Sequence, residues 1–385
     1  MFTRGVRTKK AMVAALGGAM ALALAGCGSS GSGGGGGGGG QASGGGGASS
    51  SGLKVAVLLP DTQSSARYVT QDAPDFKAFF ESQGMTEGKD FTVENAKGDP
   101  AQMRTQADQA IQQGATVLVI DGIDSGSAAA IEKSAQSKGV ATIDYDRLTL
   151  NGSASYYVSF DNVEVGKMQG QGLVDCIKNW NVKNPNVLEV QGAPTDNNGT
   201  LFAKGSDSVL DPLYKNGTYT KVGEQRIDKW DPNNARTYFE QQYQAHSDIN
   251  AVLVANDDMA NGVITAMKAK NIPPKTIPTT GQDATVGGLQ NILAGYQCMT
   301  VYKPIKSEAE AAGKLALALV NGEKNPPGVN GKVNNGQTDV PSVLLKPIAV
   351  TTDNMADTVV KDGFVKVSDL CKGSYASKCK AAGIS

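Results

Sequence analysis

Histidine is almost absent: His246 is the single one in 385 residues. Imidazole-ligated metal sites and the Ser-His-Asp or Cys-His catalytic sets therefore have almost nothing to be built from. His246 stands beside Ser247 and Asp248 at the end of a polar helical stretch, which reads as a solvated surface position. Cysteine is sparse too, five in all, and no Cys-x-x-Cys spacing occurs, which removes the common zinc and dithiol redox patterns. Past the N-terminus no apolar run approaches the roughly 18 residues of a membrane helix. Nor is there the basic excess that nucleic acid attracts, since 36 Lys and Arg stand against 37 Asp and Glu.

What is present begins at the N-terminus. Arg4, Arg7, Lys9 and Lys10 precede an apolar stretch, residues 11–25, too short to span a bilayer, the pattern of an export signal. The stretch closes on Leu24-Ala25-Gly26-Cys27, which resembles the bacterial lipobox and so implies acylation of the Cys27 thiol. Two or more acyl chains anchor stably where one does not, placing the protein at the outer face of the cytoplasmic membrane. Residues 28–52 are almost entirely Gly, Ser, Ala and Gln, a composition that buries no apolar surface. Such a tether reaches about 25–30 Å on average. The folded part is expected to start near Leu53. Without the four basic residues of the leader, 32 Lys and Arg face 37 Asp and Glu, a net charge of −5.

The remaining chain exceeds what one core usually supports, so two lobes are expected. Apolar runs at 54–59, 116–120 and 141–145 read as buried parallel strands, with helices at 72–83, 100–113 and 127–138. The pattern resumes with strands at 187–191 and 251–255 and helices at 163–178, 199–213, 232–246 and 259–270. The predicted fold class is α/β, two similar doubly wound lobes in series. Gly166, Gly170 and Gly172 fit neither G-x-G-x-x-G nor a Walker motif, and close helix packing is the better reading. Cys371 and Cys379 flank a short polar loop and are read as a disulfide, whereas Cys176 and Cys298 suit either a second bridge or two buried thiols.

In open α/β sheets ligands bind beyond the carboxyl ends of the strands. Those positions here hold residues 61–68, Asp121-Gly122, Asp146-Arg147, residues 195–198 and Asn256-Asp257-Asp258. Loops are polar in any case, but this set mixes Arg, Asp and Asn with aromatics on both units. The segments Ala66-Arg67-Tyr68, Asp144-Tyr145-Asp146-Arg147, Ser159-Phe160-Asp161-Asn162, Thr195-Asp196-Asn197-Asn198, Asn256-Asp257, Gly281-Gln282-Asp283-Ala284 and Thr300-Val301-Tyr302-Lys303-Pro304 resemble, in order, the type I periplasmic sugar-binding proteins of ATP-driven (ABC) importers, the xylose-binding branch above all. The resemblance covers residues 53 to about 369. It implies lobes of 53–160 plus about 284–338 and 161–283 plus about 339–370, joined by a three-segment hinge. The first crossovers would be Asp161-Asn162 and Asp283-Ala284, with the third within 328–339, and a strand at 342–346 would return to the second lobe. Residues 371–385 would form a tail.

The resemblance further implies that Arg67, Asp146, Arg147, Asn198, Asn256, Asp283 and Lys303 line a sugar cleft, with Tyr68 and Trp230 on the ring faces. The chain departs from the xylose branch at Tyr68, where tryptophan is usual, and at Thr285, where an acidic residue is frequent, changes that bear on sugar identity rather than fold. The chemistry agrees with the carry-over, because a sugar hydroxyl both donates and accepts while carboxylates accept, Arg and Lys donate and Asn does either. Counting Arg67, Arg147 and Lys303 against Asp146 and Asp283 puts the site near +1, suited to a neutral polyol. The implied partners are a monosaccharide (aldopentose or aldohexose), an ABC permease and the membrane, with no nucleic acid, no cofactor and a monomeric chain. Two rivals are a tethered sugar receptor serving a membrane sensor and an extracytoplasmic glycoside hydrolase using Asp146 and Asp283. Basic neighbours disfavour the hydrolase by lowering a general acid's pKa.

Overall fold

The apolar runs become strands because aliphatic and β-branched residues on both faces suit a sheet covered on both sides. A computed structural model describes residues 52–384; the leader, Cys27 and the tether through residue 51 lie outside the described residues. The first strands are β1 (Val55–Leu59), β2 (Phe91–Asn95), β3 (Val117–Ile120), β4 (Ala141–Tyr145) and β5 (Tyr156–Phe160). Then come β6 (Asn186–Gln191), β7 (Thr220–Arg226), β8 (Ala251–Val254), β9 (Thr300–Tyr302), β10 (Gly331–Asn334), β11 (Asp339–Leu345) and β12 (Ile348–Val350). One sheet runs β10-β11-β5-β4-β3-β1-β2, all parallel except β10. A second runs β7-β6-β8 and continues by parallel bridges from Val252 to Thr279 and from Thr279 to Gln297. β9 and β12 pair antiparallel.

Helices cover both faces of each sheet. Around the first sheet lie α1 (Ala73–Ser82), α2 (Pro100–Gln112) and α3 (Ser125–Ser137); α4 (Asn162–Asn179), α5 (Asn197–Lys215), α6 (Pro232–Ala245) and α7 (Asp257–Ala269) flank the second. α8 (Val286–Ala294) and α9 (Ile305–Val320) follow. The strand period of two sorts the cores. Val55, Val57, Val117 and Val119 pack with α1 and with Ala309, Ala312 and Leu315 of α9, while Ala56, Leu58, Leu118 and Ile120 pack with α2 and α3. In the second sheet Val187, Ala251 and Leu253 meet α4 and α5, and Leu188, Val190, Val252 and Val254 belong to the core that holds Tyr238 of α6 and Val263 of α7.

Two of the predicted chain crossings move. β11 lies in the first sheet, with Ser342 beside Tyr157 and Leu345 beside Phe160, so the segment at 342–346 does not return to the second lobe. The chain crosses after it, at Lys346-Pro347, to reach β12. Nor does it leave the second core at Asp283-Ala284: Leu289 and Ile292 of α8 pack with Tyr302 and Val350, and the crossing falls at Lys303-Pro304, before α9. An apolar strand looks the same in sequence whichever sheet it joins, and pairing partners alone decide. Both cysteine pairs form disulfides, Cys371 to Cys379 and Cys176 to Cys298, the latter tying α4 to the segment before β9.

The glycines of α4 are packing positions. A Cβ on Gly166 would stand 2.0 Å from the carbonyl oxygen of Phe202, and one on Gly205 of α5 would stand 2.2 Å from that of Val163. Backbone meets backbone there, with no flexible side chain to yield. Gly166→Ala is therefore expected to destabilise the fold by about 3 kcal/mol through overpacking, read as a lower denaturant midpoint with an unchanged m-value.

Candidate functional site

Helix caps at the strand ends build the site. Asp196 caps α5, its Oδ1 accepting from Asn198 N at 2.8 Å, and Asn256 caps α7, its Oδ1 accepting from Met259 N at 3.0 Å. Capping satisfies orphan N–H groups at a helix start, but each cap also has a second face. Asn256 Nδ2 donates to Ser64 O at 2.9 Å, and Asp196 Oδ2 accepts from Trp230 Nε1 at 3.1 Å.

Asp146, just past β4, is the centre. It adopts φ 55°, the left-handed region that few non-glycine residues enter. Tyr157 Oη, Ser159 Oγ and Asn198 Nδ2 hold it there by donating to its carbonyl oxygen at 2.9, 2.8 and 3.1 Å. Its Oδ1 accepts from Arg67 Nη1 at 3.0 Å and Lys303 Nζ at 3.3 Å, and its Oδ2 from Tyr68 Oη at 3.1 Å. Burial alone would raise its pKa, yet Arg67, Lys303 and Arg147 hold this carboxyl well below the usual range. Lys303 Nζ also lies 3.5 Å from Asp283 Oδ1, so one ammonium joins two carboxylates. Asp283, at φ 93°, accepts from Ser65 Oγ at 2.7 Å.

The other cations are spoken for as well. Arg67 donates from Nε and Nη2 to Asp72 at 2.9 and 2.7 Å and from Nη2 to Glu308 at 2.7 Å. With Asp146 on Nη1, it chiefly positions that carboxylate. Arg147 Nε lies 3.1 Å from Asp196 Oδ2, and its Nη2 donates to Ser64 Oγ and Tyr68 Oη at 3.1 Å each. Both guanidinium carbons sit 5.5 Å from the Tyr68 ring centroid, a cation–π bracket.

Trp230 is seated by its backbone. Lys229 and Trp230 both take φ 56°, and the indole passes so close to Gly192 that a Cβ there would meet it at 2.1 Å. Edge-on contact with Phe202, centroids 6.1 Å apart, completes the setting.

All nine sequence-predicted residues line one cavity of about 20 Å³. The same wall includes Ser64, Ser65, Asp196, Phe202 and Gln282, none of which the sequence singled out as a ligand. Asp196 and Gln282 stood inside matching segments, and their neighbours drew the attention. Glu308, on α9 far along the chain, gave no signal at all. The charge count near +1 left out four further carboxyl groups, those of Asp72, Asp121, Asp196 and Glu308. Burial pushes Asp121, Asp196 and Glu308 upward in pKa against the pull of Arg147 and Arg67. Each cation thus faces carboxyl partners, an arrangement hospitable to a neutral, hydroxyl-bearing molecule and poor for an ion of either sign.

Residues 55–324 match the periplasmic binding protein domain. The chain belongs to that family. It is 38% identical over 279 residues to the D-xylose-binding periplasmic protein of Escherichia coli, covering 72% of this chain and 82% of that one. Likeness to the protein of the same name from Haemophilus influenzae is 34% over 316 residues, 82% and 91% of the two chains. Among solved structures, a carbohydrate transporter solute-binding protein of Chloroflexus aurantiacus in complex with D-glucose superposes with a TM-score of 0.74 at 29% identity, over 82% of this chain and 98% of that one. The fold is accordingly the type I arrangement of this periplasmic binding protein family, two doubly wound α/β lobes.

Beneath Asp283 lies a buried brace. Asp257 Oδ1 accepts from Gln297 Nε2 and Thr300 Oγ1 at 2.7 and 2.9 Å, its Oδ2 from Thr285 N at 2.8 Å, and its own N–H donates to Gln282 O. No cation among the described residues pairs with it, and burial pushes its pKa up to about 8. In the unfolded chain an Asp titrates near 3.9, so between roughly pH 4 and 8 the native state holds a proton that the unfolded state has lost. Stability from this group therefore falls as pH rises through that window. Asp257→Asn should flatten the decline between pH 5 and pH 8, measured by urea denaturation; an unchanged slope would assign the pH dependence to other groups.

Proposed function

We propose that this chain is a lipid-anchored, extracytoplasmic substrate-binding protein that captures one neutral monosaccharide, a xylose-like aldose, and delivers it to an ABC permease. The observation that carries the reading is Asp146: a buried, ionised carboxylate ringed by Arg67, Lys303 and Tyr68 among further side chains able to donate and accept. The names of the relatives, two of which bind D-xylose and one of which holds D-glucose, support the same ligand class.

The sugar's hydroxyls take over partners that now pair with one another. Lys303, Asp283, Arg147 and Asn256 exchange contacts across the cavity for contacts to the ring, and Trp230 offers it an apolar wall. Hydrogen bonds to charged groups contribute roughly 1.5–3 kcal/mol each. Association and ordering remove a comparable amount, which leaves a binding free energy of about −8 kcal/mol or better, micromolar or tighter. Closure draws residues 64–66 against Asn256, Asp258 and Asp283, whose contacts with Ser64 O, Ala66 N and Ser65 Oγ measure 2.9, 3.1 and 2.7 Å. Hinge closure of this kind gives a permease a distinct bound form to read. A hydrolase with Asp146 as its general acid would need that carboxyl to keep its proton, whereas Asp146 is held ionised.

Calorimetry of the purified chain against xylose, glucose, galactose, arabinose, fructose and ribose tests the proposal, and no heat with any of them would overturn it. Asp146→Ala is expected to weaken binding at least tenfold, because hydroxyls, Arg67 and Lys303 lose their common acceptor. Trp230 emission should change on titration with the bound sugar; a flat signal places the indole outside the sugar's reach.

A further inference from the structure

A second, larger chamber of about 340 Å³ adjoins the cavity around Asp146. Ser64, Arg147, Asp196 and Trp230 line both. The partition is therefore made of side chains, chiefly the Arg147–Asp196 contact at 3.1 Å and the indole hydrogen-bonded to the same carboxylate. Farther out, Pro100, Ile123 and Ala193 give apolar surface, and Lys97, Asp124 and Asp228 give polar groups of both signs. The chamber's volume lies within the range of about 300–1,000 Å³ typical of small-molecule sites.

This lining has the character of a saccharide subsite rather than a solvent channel. A sugar ring has an apolar C–H face and a rim of hydroxyls, so it asks for an aromatic or aliphatic wall next to mixed donors and acceptors. Trp230 is held by Gly192 behind it, by Asp196 at its nitrogen and by its own left-handed backbone, so the wall common to both spaces is rigid. Charges of both signs fit a neutral occupant, as they do in the inner cavity.

We propose that the chamber is a second sugar subsite and that the protein takes a neutral disaccharide, one ring among Asp146, Lys303 and Asp283 and the other against Trp230 and Ile123. The proposal rests on the inner cavity being a sugar site, and the experiment separates the two. Calorimetry of the purified chain is run with xylose and xylobiose, and with glucose and cellobiose. A disaccharide should bind within threefold of its monosaccharide or more tightly. Ile123→Trp, which fills the chamber, should weaken the disaccharide at least tenfold and leave the monosaccharide within twofold. Gln63→Trp, at an exposed position on the same wall, serves the same purpose without touching a packed side chain. Monosaccharide binding with the disaccharides a hundredfold weaker or undetected would overturn the second subsite and leave the proposed function standing. An equal loss of both ligands in the two variants would also overturn it, and binding of no disaccharide together with no heat from any of the six monosaccharides named above would overturn both readings.

Discussion

The site depends on one buried carboxylate. Asp146 is placed in a left-handed turn by three donors to its carbonyl oxygen and ringed by Arg67, Lys303 and Tyr68 at 3.0–3.3 Å. Burying ions costs several kcal/mol each unless geometry and further hydrogen bonds return it. Every element near the cavity answers that demand: the turn before α1 supplies Asp72 to Arg67, α9 supplies Glu308, and the stretch after β9 supplies Lys303. A network of this kind contributes little net stability, since apolar residues of like volume would do as well. Its consequence is positional, because no single member can move without stranding another.

The residues proposed to bind also serve the fold. Asp196 and Asn256 cap helices with one face and touch the cavity with the other, so the strand-end chemistry that starts α5 and α7 also aims polar groups at the cavity. Gly192 does likewise for packing, since it admits the indole of Trp230 where a Cβ would exclude it. Asp257 holds the loop of Asp283 from beneath through Thr285 N. The local rules of helix and turn and the lining of the cavity are thus met by the same side chains, and this is why such residues occur in short segments directly after strands.

Much of this was legible along the chain. The buried runs that became β1, β3 and β4 and the helices between them follow from hydrophobic period, and eight of the nine ligand candidates follow from strand-end position together with the family's short motifs, Trp230 coming from the resemblance alone. Edge strands were less visible: β7, Thr-Lys-Val-Gly-Glu-Gln-Arg, is polar and half exposed and carries no strand pattern. The inventory of carboxyl groups at the site was incomplete because Asp72, Asp121 and Glu308 stand behind the wall, where no motif marks them.

The sequence by itself determined the alternation of strands and helices and the residue types available to a polar cleft, since these depend on local periodicity and short spacing. Only the tertiary structure decided which sheet receives β11, where the chain crosses back before α9, and which carboxylates face which cations. Those outcomes turn on contacts between residues as much as 241 positions apart, as for Arg67 and Glu308, and pairing over such separations is set by the packed whole rather than by any segment.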